Sequence, residues 1–140
     1  MNEKHLGRQT VAFSRPPVIC AESGVAGRKE GEGPLADCFD LVEQDAYFGQ
    51  PTWEAAESAM LRRCLSGLLA KAQLDSRALD AVLAGDLQNQ CAGAAYAMRG
   101  VPAPYFGLYS ACATFAEAVG LACILIDGGY ASRCAALTGN

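Results

Sequence analysis

The sequence has almost no histidine, no C-x-x-C pair, no cluster of basic residues and no long unbroken apolar run. Each absence closes a class of function. A single histidine, His5, and seven scattered cysteines do not supply the ligands of a zinc site. A formal net charge of -4 leaves no basic patch for nucleic acid. The opening segment MNEKHLGRQTVAFSRPPV has neither an apolar core nor a small-residue cleavage site, so no secretory signal is expected. The longest apolar run, residues 118–126, follows Glu117 and is too short to span a bilayer. These features together predict a soluble protein. Without an oxidising compartment, most of the seven cysteines, an odd number, are expected to be small buried hydrophobes rather than disulfides.

What is present reads as one globular domain. Half of the 140 residues are apolar and 19% are charged, which is enough apolar surface for a core. Residues 1–9 read as a loose polar arm. The segments TVAF and PVIC read as short extended pieces, punctuated by Pro16 and Pro17. Residues 24–37 carry four glycines and a proline and read as a loop, with Arg28 and Lys29 as solvated charges that could reach an anionic ligand.

The clearest helix is TWEAAESAMLRRCLSGLLAKAQL, residues 52–74. Pro51 or Thr52 starts it, and Glu54 and Glu57 suit the positive end of the helix dipole. Ala56, Met60, Cys64 and Leu68 recur at i, i+4 and predict the buried stripe. The pattern then alternates. A strand is expected at 80–84, a small-residue helix over 88–100, a strand in PYFGLY, a helix over 113–129 and a strand in SRCAALTG. Such α, β alternation implies a parallel sheet covered by helices. The helix over 113–129 is apolar nearly all the way round, whereas a surface helix should show a polar face. It therefore calls for a further layer on its far side.

Two places concentrate chemistry. Cys112 lies just past a strand's C-terminal end and opens the apolar helix, where ligands bind in open α/β sheets and where the helix dipole stabilises a thiolate. Ala111 and Ala113 keep bulk away from it. The plain alternative is a small buried thiol in a tight turn. Asp86, in AGDLQNQ with Asn89 nearby, follows another strand. It reads either as a helix N-cap or as a polar wall of the same pocket. Glu117, on so apolar a helix, needs a partner or water. His5 shows no sign of serving Cys112 as a base.

The stretches GRQTVAF, EGPLADCFD, AGDLQNQ, GLYSACATFAEAV and IDGGYASRCAALTG span nearly the whole chain. In ACAT at a strand-to-helix turn, the chain resembles the nucleophile turn of the thiolase and ketosynthase superfamily. Taken in order, the five stretches resemble the stage V sporulation protein AD family of endospore-forming bacteria, AGDLQNQ being the most specific. The resemblance implies a thiolase-like α/β fold, with a layered, mostly parallel sheet and a buried central helix. Residues 1–140 would be the N-terminal half of a two-half fold. It implies a sporulation protein that binds dipicolinic acid, with or without calcium, in the thiolase-like pocket and supports its uptake into the forming spore. It implies partners among the proteins of the spore dipicolinate channel and a cytoplasmic location at the face of the spore inner membrane; a homodimer is expected from the helix over 113–129, whose outer face would expose Phe115, Leu121, Ile124 or Leu125 if no layer covers it. By position, Asp86, Asn89, Cys112 and Ala113 would line the ligand site; no cofactor and no metal site are expected. The alternative is an acyltransferase of the thiolase or ketosynthase type, with Cys112 as the acyl-carrying nucleophile. The bases such enzymes use come largely from the second half. Ala113 also departs from the serine usual after the cysteine.

Overall fold

The computed structural model describes residues 4–139. Among them no helix is long and apolar enough to cross a membrane. The centre is a three-stranded parallel sheet in the order β6-β5-β7, formed by β5 (Ala81–Gly85), β6 (Tyr105–Leu108) and β7 (Cys134–Thr138). β5 reads AVLAG and is buried along its whole length. That continuous apolar run is what a central parallel strand, covered on both faces, requires.

Two helices cover one face. The long helix α2 (Trp53–Ala72) starts at Thr52, whose hydroxyl accepts the Ala55 N–H at 3.2 Å. It ends at Gln73 in the left-handed conformation. The short α3 (Ala92–Ala97) packs beside it. Leu61 and Leu65 of α2 meet Val82, Ala84, Ala94, Met98 and Leu137 in the larger core cluster. The buried stripe is thus Ser58, Leu61 and Leu65, rotated from the expected Ala56, Met60, Cys64 and Leu68; of those four only Ala56 is buried. Cys64 is turned aside to donate to the Ser23 carbonyl at 3.1 Å. The other face is covered by α4 (Thr114–Asp127), whose Ala118 and Ala122 lie on Ala81 and Leu83.

The N-terminal third corrects several expectations. Residues 1–3 lie outside the described residues. The rest of the presumed arm forms a small antiparallel hairpin, β1 (His5–Leu6) with β2 (Thr10–Val11). Lys4 and the Arg15 backbone N–H hold it to buried Asp127 at the far end of α4, at 2.5 and 2.7 Å. The presumed loop over 24–37 contains β3 (Val25–Gly27), α1 (Arg28–Gly31) and a 3-10 turn. β3 pairs in parallel with β4 (Leu41–Glu43). Glycine here permits packing rather than looseness, because a Cβ on Gly31 would collide with the Val42 side chain. PVIC forms no strand, and Val18 and Ile19 are exposed.

No cysteine among the described residues is fully buried: Cys20, Cys38 and Cys112 are exposed and the other four are half-buried. Cys91 and Cys134 pack against the two core clusters, whose fully buried members are leucine, valine, alanine and methionine.

Candidate functional site

The register of the parallel sheet brings the two candidate loops together. Gly85 is paired with both Leu108 and Thr138, so all three strands end at one level. The chain leaves β5 into Asp86 and leaves β6 into Tyr109–Ala113. Asp86, Asn89, Cys112 and Ala113 therefore share one edge of the sheet, as the strand order predicted. Gly85 makes the edge tight. A Cβ there would collide with the Leu108 carbonyl and stand 2.7 Å from Thr114 Cγ2.

Asp86 organises its own loop. It is 1% exposed. One carboxylate oxygen accepts the Gln88 N–H at 2.7 Å, and the other accepts the Ala94 N–H at 2.6 Å. Ala94 is the third residue of α3, so Asp86 caps that helix from outside the helix's own sequence run. Its carboxylate sits behind the rim, facing amides. Between these two anchor points, Asn89, Gln90 and Cys91 take φ of 42°, 58° and 65°. Three consecutive non-glycine residues in the left-handed region store strain of about 1 kcal/mol or more each. The helix starts only after them, at Ala92, so the helix expected over 88–100 is confined to Ala92–Ala97. Asn89 and Gln90 are exposed at the rim. The buried Oε1 of Gln88 has no partner among the described residues.

The second loop is a 3-10 turn over Ala111–Ala113 running into α4. Thr114, 1% exposed, holds it: its hydroxyl donates to the Ala111 carbonyl at 2.8 Å and accepts the Ser110 N–H at 3.2 Å. Ala111 is itself left-handed, with φ of 49°. Cys112 and Ala113 are exposed, so the reading of Cys112 as a small buried thiol does not hold in this chain. The N-cap of α4, Ala113, has no side-chain oxygen to satisfy the first-turn amides. The Thr114 N–H is taken by the Ala111 carbonyl of the 3-10 turn; the later first-turn amides, with the positive end of the dipole, suit an anion.

Behind the rim lies a polar cluster that the sequence pattern did not reveal. Tyr105 donates to the Ala84 carbonyl at 3.2 Å. Burial, then the neighbouring Cys91 and Asp86, drives its phenol far above the ordinary range. Glu57 of α2 is pushed up by burial and by the nearby Asp86 charge. Ser58 reaches the Gly93 carbonyl at 3.0 Å and so ties α2 to α3. The small-residue spacing of AGAAYA, which lets α2 approach α3, was the one available signal for this cluster.

Other candidates fall elsewhere. Arg28 belongs to α1 and pairs with Glu32 at 2.9 Å, away from this edge. Glu117 is exposed and meets water. His5 lies in the hairpin tethered to Asp127, the opposite end of α4 from Cys112. A helix of 14 residues is about 21 Å long, so this histidine cannot serve the thiol. Among the described residues no three His, Cys, Asp or Glu side chains gather as metal ligands.

The family described as Stage V sporulation protein AD matches residues 7–140. Among curated proteins, Stage V sporulation protein AD of Bacillus subtilis (strain 168) is 36% identical over 137 residues, which is 98% of this chain. The chain spans 40% of that relative's length.

Proposed function

The chain belongs to the stage V sporulation protein AD family, and from that premise we propose that it serves spore formation by holding dipicolinic acid at the C-terminal edge of its parallel sheet. The observation that carries this reading is the start of α4, which has no side-chain cap at Ala113, on the same sheet edge as the strained Asn89–Cys91 loop. Pyridine-2,6-dicarboxylate is a flat dianion, and first-turn amides with a positive dipole end stabilise such charge. Ala113 and Cys112 are small enough to admit the ring closely, and Asn89 offers an amide at the rim. Asp86 acts on the site by fixing the loop. In this reading the fold is the thiolase-like first half, and the ligand is passed to channel proteins at the membrane face. A second copy of the chain would pair with it as a homodimer.

The acyltransferase alternative rests on the exposed Cys112 thiol at a helix start. Within these residues His5 lies at the opposite end of α4 from that thiol and does not supply the base that usually activates such a nucleophile.

Thermal denaturation with millimolar dipicolinate, with and without calcium, separates the readings. A rise in Tm is expected for the wild type. It should vanish in Asn89→Ala and in Cys112→Trp, which alter only exposed positions, and in Asp86→Ala if that variant folds. No shift at millimolar ligand would sink the binding reading. Stable acylation confined to Cys112 after incubation with an acyl-coenzyme A would establish the enzyme instead.

A further inference from the structure

A trough on the outer side of α2 is lined by none of Asp86, Asn89, Cys112 and Ala113. Its volume is about 610 Å³. Phe48, from the segment before α2, Tyr96 of α3, and Ala55 and Ala59 of α2 line it. Arg62 and Arg63 stand towards one end and Glu54 at the other. The trough runs along α2 from Thr52 to Ser66, 14 residues apart. At 1.5 Å per residue that is about 21 Å. A compact metabolite would leave most of this length empty, whereas an extended peptide of about six residues spans it.

The lining selects the chemistry of the occupant. Tyr96 is 65% exposed, and next to the trough Tyr47 and Trp53 stack with ring centroids 4.3 Å apart, Trp53 being 55% exposed. Exposed aromatic rings beside arginines have the composition of protein-recognition surfaces. The cationic side chains that form ion pairs among the described residues are Lys4, Arg28, Lys71 and Arg77. Arg62 and Arg63 are exposed and have none, in a chain of net charge -4. Two neighbouring unpaired guanidiniums favour carboxylates, which they bind in bidentate fashion. Glu54 at the other end disfavours a uniformly acidic occupant and so sets a direction.

We propose that this trough binds an acidic peptide segment of a partner protein, one that seats an apolar or aromatic side chain over Ala55 and Ala59 and places carboxylates on Arg62 and Arg63. The inference stands independently of what binds at the sheet edge.

The test is selection of a displayed library of random seven-residue peptides on the wild-type protein. Enrichment of Asp or Glu next to a large apolar residue is expected. The selected peptides should bind the double variant Arg62→Glu, Arg63→Glu at least tenfold more weakly, while its circular dichroism and Tm stay unchanged. Binding should also weaken as salt rises, and Ala59→Arg should block it. Selected peptides without acidic preference, or with equal affinity for the charge-reversed variant, would overturn the proposal. So would two other results. In one, vesicles containing phosphatidylglycerol bind in place of any peptide and are released by the same reversal. In the other, sedimentation shows that the reversal dissolves a complex between copies of this chain.

Discussion

Helices α2 and α4 cover opposite faces of the same small sheet, and they do so by different rules. α2 buries Leu61 and Leu65 and turns Arg62, Arg63 and Ser66 to water. α4 buries Ala118 and Ala122, yet its remaining surface includes Phe115, Leu121 and Ile124, exposed at 53%, 36% and 50%. The α2 side turns charged and polar residues outward beside a local groove. The α4 side is a close-packed helix whose outer surface is still apolar, a condition that drives association. Large residues on α2 fill space between separated layers. Alanines on α4 let the backbone lie close to β5 and β7. The two thus differ in the polarity of the outer face and in the size of the residues that pack the inner one.

Three experiments sharpen that contrast. The largest effect is expected inside. Leu65→Ala opens a cavity in the α2 cluster and should cost about 3 kcal/mol in denaturant unfolding. Ala118→Leu forces α4 off the sheet and should cost about 1–3 kcal/mol for the opposite reason, overpacking. Equal tolerance of both changes would erase the distinction between the faces.

Next comes the outer surface. Ile124→Glu should reduce self-association in sedimentation and in apolar-dye binding, while Ser66→Glu on α2 should leave both unchanged. A wild-type chain that is monomeric and binds no dye would contradict the reading of the α4 face.

The smallest effect concerns Glu57, where α2 meets the site. Its carboxyl is pushed above its ordinary value of 4.5 by burial and then by Asp86. The native state therefore binds this proton more tightly than the unfolded chain does. That stabilisation is complete below about pH 4 and is lost as pH rises through the native value. Glu57→Gln should raise Tm at pH 7 by about 2 °C, a figure kept small because the group is only part-buried, and should leave it unchanged at pH 3.5. Melts of both proteins across pH 3.5–8 check this, and a constant difference at every pH would remove the charge argument.

The fold was legible wherever local patterns were long. Thr52 opens α2 as its type and position suggest, and the run at β5 is central because it is apolar throughout. The far side of α4 is apolar as its composition required, although Leu125 turns inward against the sheet. That Asp86 and Cys112 follow strands ending at one edge came from the α/β alternation. By contrast, β3 and β4 are three residues each and separated by a glycine-rich stretch, so neither has a period to read. Their pairing is a long-range event. The hairpin at the N-terminus escaped for the same reason. Its place is set by Lys4 and Arg15 meeting Asp127 more than a hundred residues away.

By itself the amino-acid order determined the number and sequence of the main elements, the parallel sense of the sheet and the edge on which the candidate residues lie. Periodicity and capping act over a few residues, and alternation constrains topology. Only the tertiary structure decided that Asp86 faces amides rather than an open cleft, that Asn89–Cys91 are held left-handed, and that Cys112 is exposed. Those outcomes depend on which backbone N–H groups and which neighbouring layers come close in space, and nothing in the local sequence encodes that proximity.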